Sequence, residues 1–231
     1  IGTLKGNTMD MIEFANLLRE LGAGADVREW ADGKSLGEFW ATCDRADWLL
    51  WFAGRMADQA GWPTRQKIVL AACACAGTVL PVFEKEYSSD SSPRRALETA
   101  RAWAVGKSKL EEVLSAANAA YSAAFIHSGC PNDAAYPANA AFAAASAASA
   151  AFADAADSSA AAADAAAADA AYAATSAEAN AVSAGFASYT VYAATLEAAY
   201  DAASAAAFKT KALASMAGLV RKEIPFPFQR Q

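Results

Sequence analysis

Between residues 110 and 208 the chain has no lysine and no arginine, although it places ten acidic residues there. An acidic block of this kind repels phosphate backbones and argues against nucleic acid as a partner. Histidine is almost as scarce: His127 is the only one in 231 residues. An acid and base cycle near neutral pH would therefore need a perturbed carboxylate or cysteine as its second member. The four cysteines, Cys43, Cys73, Cys75 and Cys130, lack the spacing of a disulfide framework, which fits a reduced, cytoplasmic protein. Apolar runs of roughly 18 residues, the length a bilayer span needs, do not occur, because Asp and Ser keep interrupting them. Neither a membrane segment nor a signal peptide is expected. Gly-x-Ser-x-Gly elbows, glycine-rich phosphate loops and His-Glu-x-x-His pairs are missing too. The sequence thus points away from an enzyme and implies no cofactor.

What the chain does have is alanine. More than half of the stretch from Pro131 to Ala207 is alanine, with Phe142, Phe152, Tyr172, Phe186, Tyr189, Tyr192 and Tyr200 spaced along it. Alanine loses almost no side-chain entropy in a helix, and its methyl group lets neighbouring helices approach closely. The stretch reads as a helical scaffold. The acidity is confined to it: residues 1–109 hold 14 basic and 14 acidic residues, and residues 209–231 hold five basic and one acidic, within a net charge of −6. A protein with a basic surface is the natural partner of such a block, since charge complementarity speeds association. Asp154, Asp157, Asp164 and Asp169 are the candidate partner-binding residues. Taken one at a time they read better as solvated residues on a helix face, and it is the block as a whole that points to a partner.

The first half is punctuated by helix signals. Asp10 with Glu13, Ser35 with Glu38, and Ser108 with Glu111 read as capping boxes, while Gly22, Asp32-Gly33 and Gly106 read as stops. A segment starting at Asp44 or Asp47 carries Trp48, Trp51, Phe52 and Met56 at helical spacings. Beyond the break at Trp62-Pro63, a helix from Thr64 runs toward Pro81, and polar residues from Glu84 to Ser92 read as a loop. Ser92-Pro93 opens a further helix with Leu97, Ala100 and Trp103. The next carries Leu110, Val113, Leu114, Tyr121 and Phe125 up to Gly129-Cys130-Pro131. The alanine region divides into helices near 137–156, 159–182 and 186–217. The tail from Ile224 to Phe228 cannot be helical and is either a strap on the body or a free end.

This pattern predicts an all-α fold of eight to ten helices in a compact array, with close-packed alanine-rich helices in the second half. Residues 1–130 form a Trp/Leu-rich half and 131–231 an alanine-rich acidic half of one continuous domain. Trp48, Trp51, Phe52, Leu70 and Trp103 are expected in one core.

Several motifs weigh less than their bland readings. Cys73, Cys75, His127 and Cys130 could supply soft ligands for zinc, but neither pair has finger or ribbon spacing and small buried cysteines explain them better. No metal site is expected. The four aspartates lack the Glu-x-x-His partners of a di-metal bundle. Alanine-rich helices with regular threonines suggest ice binding, yet Thr175, Thr190, Thr195 and Thr210 are spaced by 15, 5 and 15 residues. An alanine-rich structural or ice-binding protein stays open as a second class, and an enzyme using a buried carboxylate or Cys73 as a third.

Three lines of sequence carry a resemblance: Asp47-Trp-Leu-Leu-Trp with Arg55 following, Ala71-Ala-Cys-Ala-Cys-Ala, and Ala100-Arg-Ala-Trp-Ala-Val-Gly followed by a helix and an alanine-rich tail. Together, over about residues 35–210, they resemble the alanine-rich immunity proteins of bacterial polymorphic toxin systems and their phage-encoded relatives. The resemblance implies a small all-helical cytoplasmic protein that neutralises another protein by binding it, with no catalytic residues to carry over. Trp48, Trp51, Cys73 and Trp103 match its recurrent positions and are expected to be structural. A phage relative would instead block a host defence protein. The oligomeric state is not fixed by the sequence, and a homodimer is open.

Overall fold

The structure is a computed structural model that describes residues 9–57, 59, 61–128, 144, 148, 151 and 210–226. Several helix signals of the first half act where the sequence places them. Asp10 accepts hydrogen bonds from the Ile12 and Glu13 amides, both at 2.9 Å, to open α1 (Met11–Glu20). Gly22, at φ +74°, closes it: the Gly22 amide donates to the Arg19 carbonyl and the Ala23 amide to that of Leu18. Those two bonds satisfy carbonyls that the helix leaves without partners. α2 (Ala25–Trp30) follows. Ser35 and Glu38 then form a complete capping box on α3 (Leu36–Thr42). Next come α4 (Ala46–Arg55), α5 (Arg65–Gly77), α6 (Leu80–Glu86), α7 (Ser92–Ala104) and α8 (Leu110–Ser128). A further described helix, labelled α9, covers residues 210–223. Among the described residues there is no strand, so the fold is all-α as expected.

Three boundaries differ from the sequence reading, one of them the end of α9, which runs to 223 rather than 217. Pro81 starts a helix rather than ending one: it sits in the first turn of α6, where a missing N–H costs nothing, so Glu84 belongs to that helix and not to a loop. At α8 the reach-back carboxylate is Glu112, not Glu111. Glu112 accepts from the Lys109 amide at 2.9 Å and from the Ser108 hydroxyl.

The core is aromatic at its centre. Phe14, Phe39 and Phe52 come from α1, α3 and α4, are all fully buried, and pack with centroids 5.2, 5.6 and 5.7 Å apart. Burying each contributes about 1.5–3 kcal/mol. Phe52 thus takes its expected place, but Trp48, Trp51 and Trp103 are only partly buried against the cluster, and Leu70 is half-buried outside it. The fully buried tryptophan is Trp40 of α3. The reason lies in α4, whose inward side is made by Leu49, Leu50, Phe52 and Ala53, leaving Trp48 and Trp51 on its flanks. At that flank Trp48 stacks edge-on to Trp30, and Arg45 lies over its ring at 4.3 Å while paired with Asp47.

Chain-distant segments are tied together by arginines that donate to carbonyls at or near helix C-terminal ends, where positive charge is favoured. Arg55 of α4 donates to the Leu21 carbonyl at the end of α1, 3.0 Å away. Arg101 of α7 donates to the Cys73 carbonyl in α5 at 2.8 Å. Arg221 of α9 donates to the carbonyls of Trp40 and Cys43. α9 also buries Leu213, Met216, Ala217 and Val220 in the common core, with Ile224 just beyond its end. Phe226 lies over Gly37, where an added Cβ would meet its ring at 3.4 Å. The tail from Ile224 to Phe226 is therefore a strap packed on the body.

Candidate partner-binding face

The two cysteines at the centre of the molecule are chemically quiet. Cys73 and Cys75 lie on α5 and are fully buried, and burial pushes both thiols up to about 12. The Cys73 Sγ lies 4.0 Å from the Leu97 carbonyl and the Cys75 Sγ 3.9 Å from that of Met216. A thiol held protonated among carbonyls is neither a nucleophile nor a ready metal ligand. Among the described residues no group of three or more histidine, cysteine and acidic side chains converges. The side chain of His127 and all of Cys130 lie outside the described residues.

Around that centre α7 and α8 form an antiparallel hairpin. α7 begins at Ser92, whose amide donates to Asp90 Oδ1 at 2.9 Å, and it buries Pro93, Ala96, Leu97 and Ala100 at helical spacing. Its end is a two-bond stop at Gly106, φ +74°: the Gly106 amide donates to the Trp103 carbonyl at 2.8 Å and the Lys107 amide to that of Ala102 at 2.7 Å. Lys109 then leads into α8, and the Ser108 hydroxyl and Lys109 amide hold the Glu112 carboxyl below its ordinary range.

α8 packs on α7 through small residues. Val113, Ala116, Ala117, Ala120, Ala123 and Ala124 are buried, while Leu114, Tyr121, Phe125 and Ile126 are exposed. A cleft of about 670 Å³ runs between the hairpin arms, with Arg95, Glu98, Lys107, Glu111 and Ser115 among its walls. Both signs of charge meet in it, so it does not select a ligand of one sign. Further along, Ala144, Ala148 and Ala151 are fully buried.

The sequence-predicted partner residues Asp154, Asp157, Asp164 and Asp169 lie outside the described residues. The outward apolar side of α8 was not singled out from the sequence, because hydrophobic spacing identifies a helix but does not say which of two stripes turns inward when the competing one is alanine.

No curated protein and no solved structure matches the chain. Residues 62–155 match a family of immunity proteins. That span takes in Cys73, Cys75, Trp103 and the whole α7–α8 hairpin, and it begins after Trp48 and Trp51, so it is narrower than the resemblance over 35–210. The matched model is that of the Imm-5 like putative immunity protein family, and the match runs across α5 to α8 and into the alanine-rich stretch.

Proposed function

We propose that this protein is a non-enzymatic inhibitor that works in the cytoplasm by binding another protein, either a toxin that it neutralises or, in a phage setting, a host defence protein that it blocks. The single observation that supports this most is the match of residues 62–155 to an immunity-protein family. It is consistent with this that no described helix is long and apolar enough to cross a membrane. The target presents a basic surface. The support for that is the run from 110 to 208, with ten carboxylates and no lysine or arginine. Asp154, Asp157, Asp164 and Asp169 steer the encounter.

The experiment is to co-express the chain with the product of its neighbouring gene and to measure complex formation and growth. A stoichiometric complex that relieves toxicity, or that silences a defence protein, is the expected result. Neighbouring products that neither bind nor change growth in its presence overturn the reading. With the partner in hand, changing the four aspartates to asparagine should slow association and flatten its salt dependence without altering the melting temperature. Unchanged association rates return the aspartates to a solubilising role.

A further inference from the structure

Helix α9 is held from one side. Leu213, Met216, Ala217 and Val220 are buried, while Lys211, Ser215, Gly218 and Lys222 are exposed. A helix of this length, residues 210–223, is marginal in water on its own, so the buried stripe and the two Arg221 bonds hold it in place. Gly218 weakens it from within. Glycine lowers the stability of a helix interior relative to alanine, because it has more backbone freedom to lose. Gly37 has a packing reason for its missing side chain, the Phe226 ring, but among the described residues a Cβ added at Gly218 would meet no atom within 4 Å. α9 thus gives up helix stability without a gain in packing.

Two cysteines distinguish what α9 covers from what α7 covers. Cys73 and Cys75 are two residues apart on α5 and both fully buried. The Cys73 Sγ faces the Leu97 carbonyl of α7, whereas the Cys75 Sγ faces the Met216 carbonyl of α9. We infer that α9, with the strap from Ile224 to Phe226, is a latch that opens and unfolds as a unit while the helices from α1 to α8 stay folded, uncovering Cys75 but not Cys73. Opening releases the Trp40 and Cys43 carbonyls from Arg221 and lifts Met216 off α5. Segments with few buried apolar contacts open below the free energy of global unfolding, and α9 has a single buried stripe where α5 buries seven of its residues. The open state bares two apolar surfaces that the closed state hides: the strip of α3 and α5 under the latch, and the inner stripe of α9 itself.

The test uses the full chain in urea below its unfolding midpoint. Each cysteine is pulsed with iodoacetamide and read by mass spectrometry, and hydrogen exchange of the α9 and α7 amides is followed alongside. Cys75 should be alkylated, and the α9 amides should exchange, at urea concentrations that leave Cys73 and the α7 amides protected. Gly218→Ala should slow the labelling of Cys75 about two- to fivefold, the glycine-to-alanine helix difference expressed as a change in the open population. Phe14→Leu loosens the cluster of α1, α3 and α4, which is intact in the closed and the latch-open states alike. It should therefore speed the labelling of Cys73, which needs global unfolding, and leave that of Cys75 unchanged. One common urea dependence for both thiols and for both sets of amides means that the molecule opens only as a whole, and overturns the latch. So does a Phe14→Leu variant that speeds both cysteines alike, or a Gly218→Ala variant that leaves Cys75 labelling as fast as in the parent.

Discussion

Arg221 reaches back across 181 positions of sequence to donate from Nε to the Trp40 carbonyl at 2.7 Å. The same guanidinium donates to the Cys43 carbonyl, so one side chain closes the C-terminal end of α3 and fastens α9 to it. The Cys43 thiol beside it is pushed up to about 11 by burial, against a small opposing effect of Arg221. Replacing Arg221 with methionine keeps the apolar stem but strands both carbonyls, and hydrogen bonds from a charged donor contribute about 1.5–3 kcal/mol. A loss of about 2–3 kcal/mol in equilibrium urea unfolding is expected. Arg221→Lys should recover only part of it, since an ammonium lacks the planar fork that serves two acceptors. A methionine variant as stable as the parent would show that α9 is held by its apolar face alone.

The tryptophans differ in what they hold. Trp40 is 1% exposed and belongs to the central cluster, whereas Trp51 is only partly buried against it. Trp40→Ala should cost about 3–5 kcal/mol, the usual range for a buried large aromatic. Trp51→Ala should cost about half of that, in proportion to the apolar area it buries. Thermal melts of the two variants side by side give the comparison, and equal losses would refute the difference in packing.

Much of this fold was legible in the sequence, because capping is local chemistry. Asp10 with Glu13, Ser35 with Glu38, Gly22 and Gly106 need only a few neighbouring residues to act, and each does what its type predicts. Pro81 was misread because proline both ends and begins helices, and only the packing of Leu80 and Phe83 into the core decides which. The depth of Trp48 and Trp51 was misread for another reason. Bulk suggests burial, but α4 has a second apolar side, Leu49, Leu50 and Phe52, which is the buried one, with Phe52 packed on Phe14 of α1 and Phe39 of α3. The arginine ties were invisible because their acceptors are backbone carbonyls, which every residue has. The likeness to the immunity-protein family was legible in the cysteine line and the Trp103 line, both inside the matched span.

Gly77 ends α5 where Arg101 passes. A Cβ there would lie 3.0 Å from a terminal nitrogen of Arg101, the same nitrogen that donates to the Cys73 carbonyl. Gly77→Ala alone should be close to neutral: a gain of roughly 0.5–1 kcal/mol in helix propensity offsets the disturbed hydrogen bond. In an Arg101→Ala background the obstacle is gone and the full gain should appear. A double-mutant cycle in urea measures the difference, and strict additivity would mean that the two side chains do not compete for this space.

Alkaline pH should expose the buried thiols. Burial raises Cys73 and Cys75 from 9.0 to about 12. A group whose folded pKa lies above its unfolded value contributes its full stability below the unfolded value. It then loses that stability as pH rises through the interval, because the unfolded chain gives up its proton first. Stability should therefore decline from about pH 9 upward, and the two thiols should account for part of the slope. Cys73→Ala with Cys75→Ala isolates that part from the titration of lysines and tyrosines. The urea midpoint of the parent should fall more steeply than that of the double variant between about pH 8 and about pH 10.5. Iodoacetamide at about pH 8 should leave both native thiols unmodified until denaturant opens the core, since only the thiolate reacts. Parallel pH slopes for parent and variant, or rapid alkylation of the folded protein, would mean that water reaches α5 and that its cysteines are not sealed by α7 and α9.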